Sequence, residues 1–250
     1  MSDDPIDWRA HRAEAHHLGR LQDFLKQIVY GGNDGIVTTF AIVAGFAGAS
    51  AEGAEQVGAL AVLVFGLANL FADATSMGLG EFLSTRSQRD LYLSQRAAEL
   101  RELRESPAQE RAEVVQMLTE RGLAPDDAEA AAERLMKSPE LVVDMMMSYE
   151  LQMPDMRTAR PAADGLFTFL AFTAFGAIPL VPFFLRPATD PAALWWSAAA
   201  TFAALVGLGL LRWRATEERL ARCVTETVAV GGTCAAVAFA VGALVGGLGG

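Results

Sequence analysis

Residues 57–105 read VGALAVLVFGLANLFADATSMGLGEFLSTRSQRDLYLSQRAAELRELRE. The first half of this stretch is apolar over enough residues to cross about 30 Å of hydrocarbon, at a helical rise of about 1.5 Å per residue. The second half keeps the helical pattern of apolar residues but is rich in Arg and Glu. We therefore predict one helix that crosses a membrane and then continues into water.

The composition of the chain is that of a membrane protein. Hydrophobic residues make up 52% of the 250 residues, which is more than a soluble domain usually carries. Charged residues are concentrated in three places: the first 30 residues, residues 81–164 and the region around 212–226. The net charge of −10 disfavours nucleic acid as a partner and leaves the lipid bilayer as the expected surroundings.

Four regions follow from this distribution of charge, and they predict an all-α membrane protein with five transmembrane helices. An N-terminal amphipathic cytoplasmic helix is expected within residues 1–26. Transmembrane helices one and two lie within residues 27–85, and helices three to five within residues 163–250. A cytoplasmic helical insert, which we interpret as metal-binding, separates these two groups of helices. The insert itself covers residues 86–162. The apolar stretches long enough to span a bilayer are residues 28–50, 57–82, 165–185, 193–211 and 224–247.

Proline and glycine divide the insert into about three helices. Pro107 can begin a helix at its first turn, where a missing N–H costs nothing. Gly122 and Pro125 mark the next break, and Pro139 the one after it. We expect the insert to close near Pro154 and Pro161.

The basic residues predict the orientation of the spans. The loop SAEGAEQ (50–56) has no Lys or Arg, whereas the N-terminal segment, the insert and the loop RWRATEERLAR (212–222) are rich in them. These basic segments share one side only if the N-terminus is cytoplasmic and the C-terminus is outside. The lack of a targeting signal and the Ala- and Arg-rich composition favour a bacterial inner (plasma) membrane.

Polar residues interrupt the first two apolar stretches. Asn69, Asp73, Met77 and Glu81 repeat every four residues, so they form one stripe on one helix face, and Asp34 lies in GGNDGIV (31–37). Polar groups at membrane depth are costly and normally face a bundle interior or a water-filled path. These five residues are the candidate transport pathway. The alternative is that they are hydrogen-bonding groups that join helices.

Paired carboxylates mark the insert. Two Glu pairs at i, i+3 spacing each project from one helix face, and a Met- and Glu-containing segment, DMMMSYE (144–150), follows. Carboxylates so close together repel unless a cation lies among them, and thioether sulfur favours transition metals over Mg²⁺ or Ca²⁺. The alternative is a solvated acidic surface above an ordinary methionine core. The candidate ligands are Glu99, Glu102, Glu110, Glu113, Met146, Met147 and Glu150.

Histidine and cysteine do not form a metal-binding pattern in this sequence. His11, His16 and His17 have i, i+5, i+6 spacing, which is poor for joint coordination, so we interpret them as part of a solvated helix face. Cys223 and Cys234 both fall in the last apolar stretch, and a disulfide within one helix is geometrically unfavourable. We interpret both cysteines as small packing residues.

Two long motifs resemble the vacuolar iron transporter family. They are GGNDGIVTTFAIVAGFAGAS (31–50) and ADATSMGLGEFLSTRSQRD (72–90). The resemblance extends to five spans and to a helical insert between spans two and three. It implies a homodimer that moves Fe²⁺, and often Mn²⁺ or other divalent ions, out of the cytosol in exchange for protons. No cofactor is implied besides the transported metal.

Carried over residue by residue, the resemblance implies the same seven insert ligands, with Asp34 and Met77 as intramembrane ligands. Glu105 is a further acid on the first insert helix, but it falls outside the paired spacing and is not included. The donors do not rank Fe²⁺ against Mn²⁺, Co²⁺, Ni²⁺ or Zn²⁺. Among these residues Asp34, followed by Glu81, best fits a group that binds either a metal or a proton.

Two other classes of function fit the sequence less well. A membrane-anchored di-iron oxidase needs Glu-x-x-His motifs on bundle helices, and the insert contains no histidine. A metal sensor or buffer would bind iron without moving it, but a mere anchor has no need of Asp34 and Met77 within the membrane. The sequence therefore predicts a transporter rather than an enzyme, with the sensor or buffer as the alternative.

Overall fold

A computed structural model of the chain describes residues 24–51, 59–185, 192–216 and 218–248, and their regular structure is entirely helical. The predicted N-terminal helix, with its three histidines, lies almost wholly outside these residues. The elements are α1 Leu25–Ala51, α2 Ala59–Glu105, α3 Pro107–Glu120, α4 Pro125–Leu135, α5 Pro139–Tyr149, α6 Pro161–Gly176, a 3-10 helix Ile178–Leu180, α7 Val181–Leu185, α8 Ala193–Thr216 and α9 Leu220–Leu248.

Four helical segments in the described residues are long and apolar enough to cross a membrane. They lie in α2, in the α6–α7 segment Pro161–Leu185, in α8 and in α9. The predicted first span corresponds to α1, which has 27 residues but contains Lys26, Asn33 and Asp34 and is not among the four. The count of five spans therefore stays a prediction. The prediction that one helix continues from the apolar stretch through residue 105 is confirmed.

The chain forms two compact units. One unit, here called the apolar unit, combines the described residues up to Phe82 with those from Ala162 onward. The other, here called the insert, is Leu83–Pro161. Each unit has its own buried core, so each is described separately below.

Glycines bring the backbones of α1 and α9 into contact in the apolar unit. A Cβ atom placed on Gly242 would lie 2.0 Å from the carbonyl oxygen of Gly45, and one on Gly48 would lie 2.3 Å from that of Phe239. No side chain fits at such distances. The small residues Gly45 and Gly48 of the first apolar stretch are therefore used for packing within this chain.

Helix α6 crosses two other helices through glycine in the same way. A Cβ atom on Gly35 of α1 would lie 2.4 Å from the carbonyl oxygen of Phe172. Where α2 meets α6, a Cβ on Gly165 would lie 2.5 Å from the carbonyl oxygen of Gly78. Close backbone approach of this kind is typical of helices that associate in lipid, where burial of apolar surface gives little driving force.

The predicted third span, 165–185, is not one continuous α-helix. Helix α6 ends at Gly176, and a 3-10 turn and the short helix α7 follow. Pro179 and Pro182 have no N–H to donate to the carbonyl four residues earlier, and their rings clash with the preceding turn. The hydroxyl of Ser197 on α8 donates to the carbonyl oxygen of Pro179 at 2.6 Å, which satisfies one backbone group at the break.

The insert divides where its prolines and glycine predict. Helices α3, α4 and α5 begin at Pro107, Pro125 and Pro139, and Gly122 adopts a φ of +101° in the turn after α3. That φ favours glycine because it has no Cβ. The insert core is rich in methionine, valine and alanine; its buried members are Tyr92, Leu103, Val114, Met117, Ala132, Val142, Val143, Met146 and Met147.

Candidate metal centre

The five glutamates predicted as ligands lie within electrostatic range of one another. The fold places two of them on α2, two on α3 and one directly after α5. Each of the three whose pKa is raised feels at least two of the others, and together these couplings join the whole set. The residues of this glutamate cluster are Glu99, Glu102, Glu110, Glu113 and Glu150.

Glu110 has the most unusual environment of the cluster. It lies in the first turn of α3, its side chain is 1% exposed, and its Oε2 atom has no hydrogen-bond partner in the described structure. Burial, with added repulsion from Glu113 and Glu99, raises the pKa of Glu110 to about 7. A buried carboxyl group without a partner is costly, and a bound cation would compensate its charge.

Glu99 and Glu150 also have raised pKa values. Burial is the main reason that the pKa of Glu99 is raised, and the charge of Glu150 comes next. The pKa of Glu150 is raised by burial and then by Glu113 and Glu102. Glu105 does not contribute to any of these shifts, in keeping with its exclusion from the paired set.

The predicted sulfur ligands occupy the core of the insert. Met146 is 1% exposed and Met147 is 0% exposed, and both pack with Val142, Val143 and Tyr92. Within the described residues no three His, Cys, Asp or Glu side chains converge closely enough to form a ready metal centre. The cluster therefore has the charge for a cation, while coordination by both sulfurs stays a prediction.

The polar stripe of α2 lies at the edge of its packed face. Asn69, Asp73, Met77 and Glu81 are all half-buried, one position away from a row of fully buried residues such as Ala74. Met77 packs against the buried cluster that holds Leu70 and Phe172. The stripe is thus neither fully packed in the core nor fully exposed.

Asp34 and Asp73 connect the stripe to α1. Their carboxylates are close enough to interact, and the amide of Asn69 donates to Asp73 Oδ2 at 2.6 Å. The hydroxyl of Thr38 donates to the main-chain oxygen of Asp34 at 2.8 Å. This hydrogen bond does not involve the carboxylate of Asp34. Two acidic groups from two helices therefore interact within the apolar unit, and their role in a transport pathway stays a prediction.

Glu81 has partners that sequence reasoning did not identify. Lys26 Nζ lies 3.0 Å from Glu81 Oε1, and the amide of Gln27 donates to the same oxygen at 3.3 Å. The Glu81 side chain is 14% exposed. Glu81 is thus held by α1 in an ion pair, an arrangement that is expected of a group that joins two helices.

A network of ion pairs in the insert was also missed. Arg96 on α2 and Arg157 after α5 both bind Asp144, which lies on α5. Charge alone gives no signal for such pairing, because the insert contains many Arg, Asp and Glu residues. The partners become visible only when α2 and α5 are placed beside each other.

Comparison with known proteins gives a consistent result. The VIT family matches residues 25–243. Vacuolar iron transporter 1 of Arabidopsis thaliana is 32% identical over 238 residues, 94% of this chain and 90% of that protein. Vacuolar iron transporter 1 of Tulipa gesneriana is 31% identical over 218 residues (87% and 85%), and the vacuolar iron transporter of Toxoplasma gondii is 32% identical over 238 residues (92% and 77%).

These matches cover both the apolar unit and the insert, so they are not limited to one motif. They confirm the resemblance found in residues 31–50 and 72–90. Together with four apolar helices of membrane-spanning length, they identify a multi-pass membrane protein. The chain belongs to the VIT family.

Proposed function

We propose that this protein transports divalent transition-metal ions, with Fe²⁺ as its first substrate, out of the cytosol in exchange for protons. The names of its relatives point to iron. The observation that carries the proposal is the glutamate cluster of the insert, where five carboxylates destabilise one another and one of them is fully buried. Such a cluster gains stability when a cation binds.

The insert is proposed as the site of capture. Carboxylate oxygens of the glutamate cluster supply hard donors, and the thioethers of Met146 and Met147 select against Mg²⁺ and Ca²⁺. Because the pKa of Glu110 is about 7, this carboxyl group is part protonated at neutral pH, and metal binding must displace its proton. Capture is therefore coupled to proton release.

The apolar unit is proposed as the site of passage. Asp34 and Asp73 supply negative charge at the meeting of α1 and α2, and Met77 lies one turn further along the stripe. Asp34 is the group that we assign to exchange between metal and proton. Glu81 lies at the end of the stripe, where its ion pair with Lys26 makes it the weaker candidate.

Five spans, a cytoplasmic N-terminus and a homodimer in a bacterial inner membrane complete the proposal. The segment 212–222 and the insert, both rich in Arg, lie on the same side in that arrangement. A reporter that is active only outside the cytoplasm should be active after Gly250 and inactive within the turn at Gly122. The reverse pattern would contradict this orientation.

Transport of ⁵⁵Fe²⁺ into proteoliposomes under an imposed pH gradient tests the function. We expect uptake that rises with the gradient and collapses when a protonophore removes it. Competition by Mn²⁺, Co²⁺, Ni²⁺ and Zn²⁺ would then rank the ions. Protein that binds Fe²⁺ but gives no uptake above empty liposomes would favour the alternative, a membrane-anchored sensor or buffer.

A further inference from the structure

Asp144 lies between two arginines in the insert. Its Oδ1 atom accepts a hydrogen bond from Arg96 Nε at 3.2 Å, and the Nη2 atom of Arg96 lies 3.1 Å from the same oxygen. Its Oδ2 atom accepts from Arg157 Nη2 at 3.0 Å. We call this set of three residues the Asp144 clamp.

Further contacts hold both arginines of the clamp in place. Arg96 also pairs with Glu140, one turn before Asp144 on α5. Arg157 is bound through its Nη2 atom to Asp155 Oδ2 at 2.7 Å, and the buried Tyr92 on α2 lies close enough to Asp155 to lower the pKa of that carboxyl group, after the larger effect of Arg157. The clamp thus joins three segments: α2, α5 and the chain that follows α5.

The clamp lies on the same helix faces as the proposed ligands. On α2, Tyr92, Arg96 and Glu99 are spaced i, i+4, i+7 and so share one face. On α5, Asp144 and Met147 are spaced i, i+3 and also share a face. One helical turn therefore separates the clamp from a proposed ligand on each helix.

The packing of apolar side chains alone would not fix the position of α5 along α2. Met146, Met147 and Met117 fill much of that core, and methionine adapts to irregular spaces because it is unbranched and flexible. The planar guanidinium of Arg96 binds the carboxylates of both Glu140 and Asp144 on α5, and hydrogen bonds of this kind are directional. The side chain of Arg96 is only 14% exposed, so solvent screens these bonds less than at an open surface.

Repulsion within the glutamate cluster makes such a restraint necessary. Glu99 on α2 and Glu150 after α5 carry like charges that interact across the two helices. Without a cation this repulsion pushes α5 away from α2. The Asp144 clamp opposes that movement from a point one to two turns away.

We propose that Arg96, Asp144 and Arg157 are positioning residues, which hold the ligand-bearing ends of α2 and α5 in register before a metal ion arrives. This inference rests on the proposed function, because it assumes that the glutamate cluster binds metal. It assigns these three residues no direct contact with the ion. Their effect is expected on affinity and on coordination geometry.

Binding of Co²⁺ to the full chain in detergent tests the proposal, since its visible absorption reports coordination geometry. Arg96→Gln and Asp144→Asn should each weaken binding by about tenfold, as is typical of residues that orient metal ligands. Each should also change the Co²⁺ spectrum at saturation. The double variant should lose little more than either single variant, because both changes remove the same contact.

Arg111→Gln is the matched control. Arg111 pairs with Glu129 at an exposed position that joins α3 to α4 and does not involve α2 or α5. This variant should keep the parent's affinity and spectrum. If Arg96→Gln does not fold, Arg157→Gln serves in its place, since Arg157 is 42% exposed and lies outside the core.

The outcomes are separable. Parent-like Co²⁺ affinity and spectrum in Asp144→Asn and in either folded arginine variant would overturn the role of the clamp and leave the ligand set standing. A loss in the control equal to that in the clamp variants would also overturn it, because any lost ion pair would then suffice. Failure of the parent chain to bind Co²⁺ would overturn the proposed ligand set and the clamp together.

Discussion

The apolar unit and the insert are both helical, but their helices are held together in different ways. In the apolar unit backbones touch through glycine, as where Gly242 meets Gly45. In the insert the helices are joined by apolar side chains, many of them methionine, and by ion pairs such as Arg96 with Asp144. The difference follows from the solvent, because lipid offers little hydrophobic driving force between helices and water offers a large one.

This comparison also explains where the acids lie. Carboxylates are costly within hydrocarbon, so the apolar unit keeps few of them, and Asp34 and Asp73 are placed together. The insert can carry many acids, because water at its surface solvates most of them. Its one fully buried glutamate, Glu110, is the exception that marks the proposed site of capture.

The largest effect is expected from a substitution that separates two backbones. Gly242→Leu places a side chain where a Cβ alone would lie 2.0 Å from the Gly45 carbonyl oxygen, so α9 must move away from α1. We expect a loss of about 3 kcal/mol or more, seen as a lower melting temperature in detergent. Met117→Leu in the insert core is the control and should cost less than about 1.5 kcal/mol. Equal losses in the two variants would break the comparison.

The next largest effect concerns the acids of the apolar unit. Asp34→Asn keeps the size of the side chain but removes its charge and its proton. At an effective dielectric constant of 20, a charge about 4 Å from an ion contributes roughly 4 kcal/mol, so ⁵⁵Fe²⁺ flux in proteoliposomes should fall by at least about 100-fold. Co²⁺ binding at the insert should not change.

Thr38→Val is the control for that variant, since the Thr38 hydroxyl donates to the main-chain oxygen of Asp34 and lies one turn away. It should transport at nearly the parent rate. Near-parent flux in Asp34→Asn at matched incorporation would show that an amide suffices there, and the exchange role would move to Glu81.

A smaller effect is expected when charge is removed from the glutamate cluster. The double variant Glu102→Ala with Glu113→Ala should weaken Co²⁺ binding by about 10- to 100-fold in calorimetry. Glu105→Ala with Glu120→Ala removes the same charge from the same two helices at exposed positions outside the cluster. If both double variants lose affinity equally, general attraction to an acidic surface accounts for binding, and the paired spacing does not.

The smallest effect concerns stability and pH. The pKa of Glu110 rises from an ordinary 4.5 to about 7 on folding, so the folded state holds this proton more tightly than the unfolded state. The metal-free insert should therefore lose stability as the pH rises from about 4.5 to 7, because the unfolded state releases this proton before the folded state does. Hydrogen exchange of the α3 and α5 amides measures it.

Glu110→Gln should reduce that dependence to the part that comes from Glu99 and Glu150, whose pKa values are also raised. Glu133→Gln, an exposed change on α4, should leave the dependence as in the parent. An insert that becomes more stable as the pH rises over this range would contradict the prediction, because it would show that a partner favours the ionised form of Glu110 in the folded state.

The sequence predicted most helix boundaries because single residues decide them. Pro107, Pro125 and Pro139 each begin a helix, since a missing N–H is tolerated only in the first turn. The same rule applied to Pro179 and Pro182 predicts the break after α6, but the length of the apolar stretch there favoured one span. Local rules were therefore sufficient to find the break, and the segment Pro161–Leu185 as a whole is still long and apolar enough to span a membrane.

The site could be predicted only in part. The spacing of Glu99 with Glu102 and of Glu110 with Glu113 predicts which carboxylates share a helix face, and their mutual interaction across helices agrees with it. The spacing of small residues shows that another helix can approach closely, but it does not show which helix does so. The first apolar stretch could have used Gly45 against a second copy, and it uses Gly45 against α9 of the same chain.

The methionine-rich core of the insert carries a chemical hazard if the protein handles ferrous iron. Ferrous iron and peroxide generate oxidants that convert a thioether to a polar, chiral sulfoxide. Met146 and Met147 are shielded by burial, whereas Met136, Met145, Met153 and Met156 are only partly covered. These outer residues would be oxidised first and could be restored by sulfoxide reductases before damage reaches the core. The outer methionines would thus protect the core by being oxidised first and then reduced again. How long the insert stays intact in air would depend on this repair as much as on folding.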